Sequence, residues 1–350
     1  MSTETKAAPE RTDQPSADQI LIQLFTGMWA MQAVAAASRL RIADQLATGP
    51  KTPEEVAAAS GTNPGATRRL MRAVASLGLF VPAAGGRYGL TEPGERLRSD
   101  HPATFRDAFI AETDNVHWQS WAKLDDAIRT GDPRPQAVFG LPAFDYYGKN
   151  REEGEQFGRA MENISRFAAF AVLEAYDFSD ARTVLDVGGG NGSMVLAVLD
   201  RCRNARGIVC DLPYIEQHAN ERIRAADAAD RVRFQPGDFF ESVPAGADVH
   251  LMKFILHDWN DAEAIRILKR SREALAPGGR LIVIEMIVPE GNRLEMVHLM
   301  DLNMLVMTGG LERTESEFRS LFERSGYQLT AVRPTASPFS VIEARPVGSA

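Results

Sequence analysis

Thr183-Val-Leu-Asp-Val-Gly-Gly-Gly-Asn-Gly-Ser-Met194 joins a short apolar run to a cluster of glycines. Val184 to Val187 read as a buried parallel strand, and the glycines let the chain turn with little side-chain bulk. Such a turn lets backbone N–H groups approach a ligand closely at the start of the next helix. The dinucleotide fingerprint GxGxxG fits Gly188 and Gly190 and then fails, because position 193 is Ser. The chemistry indicated is nucleoside binding, not hydride transfer with a nicotinamide. Asp211 closes the next apolar run, where a carboxylate can accept two hydrogen bonds from vicinal ribose hydroxyls. Asp238-Phe239 follows a third run and offers a carboxylate to an adenine amino group and an apolar surface to its ring. Helix capping is the plain alternative for Asp238.

These residues need a scaffold that brings strand ends together, and the pattern from Ala181 onward supplies one. Strands are expected at Thr183–Val187, Gly207–Cys210, Val232–Gln235, Asp248–Ile255 and Gly279–Glu285, with helices at Met194–Arg201, Ala262–Leu275 and Glu315–Ser325. Two further strands, Tyr327–Pro334 and Phe339–Arg345, end the pattern. Repeated βα units imply a mostly parallel sheet covered by helices on both faces, with ligand groups gathered at the carboxyl ends of its strands. Residues 179–350 are therefore expected to form the nucleoside-binding, catalytic domain. Residues 97–178 read as a helical linker whose aromatic density, including Trp118, Trp121, Phe144, Tyr147 and Phe157, suits the wall of a pocket for a flat organic substrate.

Residues 18–96 read as a separate, mostly helical domain. The segment 18–48 is apolar on nearly every side, so it should be buried, against its own domain or another subunit. Thr52-Pro-Glu-Glu starts a capped helix, a second follows from Ala66 to Leu77, and Leu79–Val81 with Tyr88–Thr91 form a small β wing. Helix–turn–helix with a wing is also a DNA-reader layout, with Arg68, Arg69 and Arg72 as its local basic cluster. The formal charge of −8 and the scattered lysines and arginines argue against nucleic acid. Residues 1–17 are polar and expected to be disordered, with no signal peptide. No apolar run is expected to approach the roughly 20 residues needed to span a bilayer. Cys202 and Cys210 offer neither a disulfide framework nor a metal pair, which fits a reducing cytoplasm.

The narrowest motif is Met252-Lys253-Phe-Ile-Leu-His257-Asp258-Trp-Asn-Asp261. With Leu185–Gly190, Asp211-Leu-Pro213 and Glu312-Arg-Thr314, it resembles the S-adenosylmethionine-dependent small-molecule O-methyltransferases of plant phenylpropanoid and bacterial polyketide, anthracycline and phenazine pathways. The resemblance spans roughly residues 18–346. It implies a Rossmann-like class I methyltransferase domain, an α/β fold whose seven-stranded sheet has an antiparallel last strand. It also implies an N-terminal winged-helix dimerisation domain in place of a DNA reader. A homodimer follows, with residues near the N-terminus reaching the partner's site. By the same match Gly188, Gly190, Asp211, Leu212, Asp238, Phe239 and Lys253 surround the cofactor S-adenosyl-L-methionine, and Ser165 and Tyr147 reach its amino-acid end. His257 corresponds to the catalytic base, and Glu285 and Glu312 to the acids that flank it.

The chemistry agrees with these assignments. A sulfonium methyl is already activated, so the protein has to align an oxygen nucleophile and remove one proton. A neutral histidine can take a phenolic proton as the oxygen attacks, while a carboxylate fixes its tautomer. Asp258, Met300, Asn303, Met304, His117 and Trp118 are the candidates for contact with an aromatic, hydroxylated acceptor. His101, His218, His250 and His298 lack metal-ligand spacing, and no metal is expected. Two other readings stay open. One keeps the fold but methylates nitrogen or has drifted to hydroxylation or decarboxylation, and the other is a winged-helix regulator that senses a nucleoside.

Overall fold

The computed structural model describes residues 16–291 and 295–348, so the expectation for the tail falls mostly on residues outside it. The chain divides into two compact units, Met1–Arg98 and Ser99–Ala350.

The first unit starts with the helix Ala17–Arg39, which Ser16 opens with a capping box through Gln19. Helices Ile42–Leu46, Pro53–Ser60 and Pro64–Ser76 follow, and the hairpin of strands β1 (Phe80–Ala83) and β2 (Arg87–Leu90) forms the wing. Ile42, Leu46, Val56, Met71, Val74 and Phe80 make its core. The Arg68 guanidinium pairs with Glu54 on the preceding helix, so part of the basic cluster is neutralised within the unit. Val34, Ala35, Ala37 and Ser38 near the C-terminal end of Ala17–Arg39 are buried, whereas Leu21, Leu24, Phe25, Met28 and Trp29 are exposed. This helix is long and apolar enough to cross a membrane by length and composition. It corrects the expectation that no such run exists: from Gln19 to Ser38 the chain carries no charged side chain, and only scattered polar groups interrupt it.

The second unit is built on a seven-stranded sheet. Strands β3 (Thr183–Val187), β4 (Arg206–Asp211), β5 (Val232–Pro236), β6 (Val249–Lys253) and β7 (Arg280–Glu285) run parallel. A two-residue parallel pair, β8 (Ile287–Val288) with β9 (Arg313–Thr314), stands apart from the sheet. Strands β10 (Tyr327–Pro334) and β11 (Ser340–Pro346) complete the order β10-β11-β7-β6-β3-β4-β5, with the last strand antiparallel to both neighbours. Alternate residues serve two cores. Val184, Val209, Leu251, Ile282 and Ile284 pack on one face, and Leu185, Val187, Ile208, Met252 and Val283 on the other. Chain order reverses at β3, which pairs with both β4 and β6, and that is where an open α/β sheet forms its ligand crevice.

Most elements lie within two residues of their expected bounds. The strand expected at Asp248–Ile255 is shorter, because Phe254 adopts a left-handed φ of 57° and the chain turns into a single 3-10 turn, Leu256–Asp258. A helix over Glu216–Ala225 and the β8–β9 pair were not anticipated.

Candidate active site

The glycine turn after β3 is held tightly. Gly188 and Gly189 N–H both donate to the Cys210 carbonyl, and Gly190 N–H donates to Asp211 Oδ2 at 2.7 Å. Leu212 N–H donates to Asp211 Oδ1, also at 2.7 Å. Both Asp211 oxygens are thus oriented by backbone, and each retains lone-pair capacity for a ribose hydroxyl. Gly188 has φ 65°, and a Cβ there would lie 2.4 Å from Ile255 Cδ1 and 3.4 Å from Phe239 Cε1. A Cβ at Gly190 would meet nothing within 4 Å, so the turn is open on that side. An open glycine cradle beside a carboxylate and a phenyl face suits the nucleoside half of S-adenosylmethionine. Phe239 lies edge-on to Trp259, while exposed Asp238 accepts from Phe240 N–H at 2.8 Å in a local turn, with no helix there for it to cap.

Behind the turn lie two charges in low dielectric. Asp186, in the middle of β3, accepts from Val195 N–H, and burial pushes its pKa up. Burial pushes Lys253 down, with Asp186 opposing, and its ammonium sits 4.0 Å from the Phe254 ring centroid. Asn191 caps Ser193 and donates to Glu162 Oε2 at 2.9 Å, tying the turn to the long helix Arg151–Ala175. Sequence reasoning missed Asp186, Asn191 and Glu162. A lone carboxylate within Val184–Val187 was the available signal for Asp186.

His257 lies on the 3-10 turn, buried. Its Nδ1 is 2.7 Å from Glu312 Oε1, and its Nε2 is 4.0 Å from Asp258 Oδ1. With Nδ1–H donated to Glu312, the neutral ring presents the Nε2 lone pair. Burial disfavours the imidazolium, but Asp258, Glu312 and Glu285 outweigh it and raise the pKa to about 9. Burial lifts Asp258 to about 6 and Glu285 to about 7. Glu285, at the end of β7, serves the backbone of this turn. Its Oε1 accepts from the N–H groups of Ile255 (3.2 Å), Leu256 (2.7 Å) and His257 (3.2 Å). The two glutamates therefore divide their work, one on the ring and one on the peptide groups. Leu311 N–H donates to the His257 carbonyl at 2.9 Å, and a Cβ on Gly310 would fall 1.9 Å from that same oxygen.

The remaining candidates lie on helices, within residues 115–175 and on Val297–Met307. Trp121 Nε1–H donates to Asn303 Oδ1 at 2.8 Å, joining the helices Asn115–Trp121 and Val297–Met307. Met300 is half-buried and Met304 buried on the second of these, and Trp118 sits at the surface of the first. His117 Nδ1 is shared between Asp114 Oδ1 (3.2 Å) and the Tyr147 hydroxyl (3.1 Å), and Tyr147 stacks on Phe157 at 4.4 Å. His117 and Tyr147, expected at different ligands, thus contact each other. Ser165 is buried and donates its hydroxyl to Met161 O at 2.6 Å within its own helix.

Residues 121–328 match the O-methyltransferase domain family, and residues 22–100 match the O-methyltransferase dimerisation domain. The chain is 38% identical over 328 residues to a phenazine O-methyltransferase of Lysobacter antibioticus, covering 94% of this chain and 96% of that protein. It superposes on human N-acetylserotonin methyltransferase in complex with SAM with a TM-score of 0.89, at 28% identity, covering 96% of this chain and 99% of that one. An aclacinomycin 10-hydroxylase of Streptomyces purpurascens is 33% identical over 356 residues, covering 98% of this chain and 94% of that protein.

Proposed function

Because this chain belongs to the S-adenosylmethionine-dependent small-molecule O-methyltransferases and moves a methyl group to a hydroxyl of an aromatic acceptor, we propose that His257 is the base that removes the proton. The 2.7 Å bond between His257 Nδ1 and Glu312 carries this reading, because it leaves Nε2 as the acceptor and steadies the imidazolium once formed. When bound, S-adenosylmethionine supplies an electrophilic methyl. Gly188, Gly190, Asp211, Leu212, Asp238, Phe239 and Lys253 would hold its nucleoside side, and Tyr147 and Ser165 its amino-acid end. The Val297–Met307 helix, with Met300, Asn303 and Met304, would wall the acceptor together with His117, Trp118 and Asp258. Alignment of the hydroxyl by these walls supplies much of the acceleration. A second copy of the chain covers the exposed Leu24, Phe25 and Trp29, giving a homodimer. The cytoplasm suits an enzyme whose Cys202 and Cys210 are both free.

His257→Ala should lower turnover at least roughly 10²-fold while calorimetric affinity for S-adenosylmethionine is kept. Screening hydroxylated aromatic acceptors by mass spectrometry, with both proteins, identifies the product. Near-wild-type turnover of the variant would remove His257 from the role of base. A cofactor that binds without any methylated product would instead favour the hydroxylase-type chemistry named for one relative.

A further inference from the structure

Arg313 has one of the largest fully buried side chains, at 1% exposure, on a strand of only two residues. A guanidinium out of water needs most of its donors satisfied, and their targets show what it organises. Nη1 donates to the Leu256 carbonyl at 2.9 Å and Nη2 to the Trp259 carbonyl at 2.9 Å. Nε and Nη2 both donate to Asp261 Oδ1, at 3.1 and 3.0 Å. Asp261 in turn accepts from Arg324 on its other oxygen. The two carbonyls belong to the residue before His257 and the second residue after it, so this one side chain grips the 3-10 turn on both sides of the histidine.

The backbone of Arg313 is fixed just as firmly. Residue 313 pairs with Ile287, two residues beyond Glu285, and directly follows Glu312. The turn bearing His257 is therefore anchored from opposite sides. Glu285 takes its N–H groups, and Arg313 holds its carbonyls while tying them to the strand that begins next to Glu312.

We infer that Arg313 is a positioning residue for methyl transfer, holding the His257 ring and the Glu312 carboxylate in register through the backbone of the Leu256–Asp258 turn. This rests on His257 being the base. The guanidinium's hydrogen bonds go to the two carbonyls and to Asp261, not to the imidazole. Its fork geometry is what matters: a lysine ammonium keeps the charge but cannot reach Leu256 O, Trp259 O and Asp261 at once. A shift of about 1 Å in a reacting group can cost on the order of 10²-fold in rate.

The test is Arg313→Lys, with Asp261→Asn as a milder second variant should the first fail to fold. Three readouts are taken on folded, full-length enzyme: kcat and KM for an acceptor, calorimetric affinity for S-adenosylmethionine, and the NMR signal of the His257 Nδ1 proton, assigned with His257→Ala. Arg313→Lys should lower kcat about 10- to 100-fold with cofactor affinity within about twofold, and should shift or broaden the Nδ1 proton signal. Asp261→Asn should move the same quantities in the same direction, less far. A variant that melts earlier but keeps kcat and an unchanged Nδ1 signal would overturn the positioning role and leave Arg313 a stabilising residue only. Failure of the base assignment is recognised separately, by near-wild-type turnover in His257→Ala.

Discussion

At the scale of single residues, the site carries its own pH dependence. The proposed base must be neutral to act, and the acids around His257 raise its pKa to about 9, so kcat/KM for the acceptor should rise with pH and level off above about 9. Glu312→Gln removes one carboxylate that favours the imidazolium, so the rising limb should move toward lower pH while kcat falls. Glu285→Gln keeps an oxygen for the three N–H groups, and its limb should move less. Equal displacement by both variants in a pH–rate profile would contradict the division of labour between them. These residues were legible in the sequence as candidates, Asp211 and the glycines from the strand–turn pattern and His257, Glu285 and Glu312 through the family resemblance. Their partners were not. Which glutamate meets the ring depends on a loop that returns 55 residues later, and Trp121 finds Asn303 at a separation of 182 residues.

At the scale of elements, strands with a strong apolar run were readable because both faces of a parallel sheet are buried. The β8–β9 pair was not, since two residues carry no periodicity, yet it sets Glu312 beside the segment that follows Glu285. β6 holds a second consequence of burial. His250, wholly buried, faces Ser271 Oγ at 2.9 Å, and Ser271 meets the Tyr327 hydroxyl at 3.1 Å, linking β6, the helix Asp261–Ala274 and β10. Burial lowers its pKa to about 4, below the 6.5 of an exposed histidine. The unfolded chain therefore binds this proton first, and stability present above pH 6.5 should be lost as pH falls toward 4, by about a few kcal/mol. Urea titrations between these limits should show the loss, and His250→Leu should flatten it. An unchanged slope in the variant would assign acid sensitivity to other groups.

At the scale of the molecule, the fold class was written in alternating strands and helices, and its seven-stranded order, with β11 antiparallel between β10 and β7, follows the family pattern. The setting of the helix Ala17–Arg39 was not legible in the sequence, because a segment apolar on all sides reads equally as core, interface or membrane span. With Leu24 at 74% and Phe25 at 71% exposure, the proposed homodimer has a definite physical origin. Sedimentation of the full-length chain should give a dimer, and Leu24→Glu with Phe25→Glu should shift it toward monomer. A wild-type monomer at micromolar concentration would refute the assembly.

The close approach at Gly310 has a meaning for the lineage of this protein as well as for its chemistry. Alanine differs from glycine by one nucleotide and one methyl group, and that methyl would occupy the space of the His257 carbonyl oxygen. The clash falls on the backbone of His257 and Asp258, so either the chain at residue 310 or the turn carrying the histidine has to move, and none of the residues proposed to hold the cofactor is among the atoms met. A gene duplicate stands one substitution from a protein whose strain falls on the turn of the proposed base and on no residue proposed to hold the cofactor. Position 310 is thus a place to look when a chain of this fold has left methyl transfer for another trade.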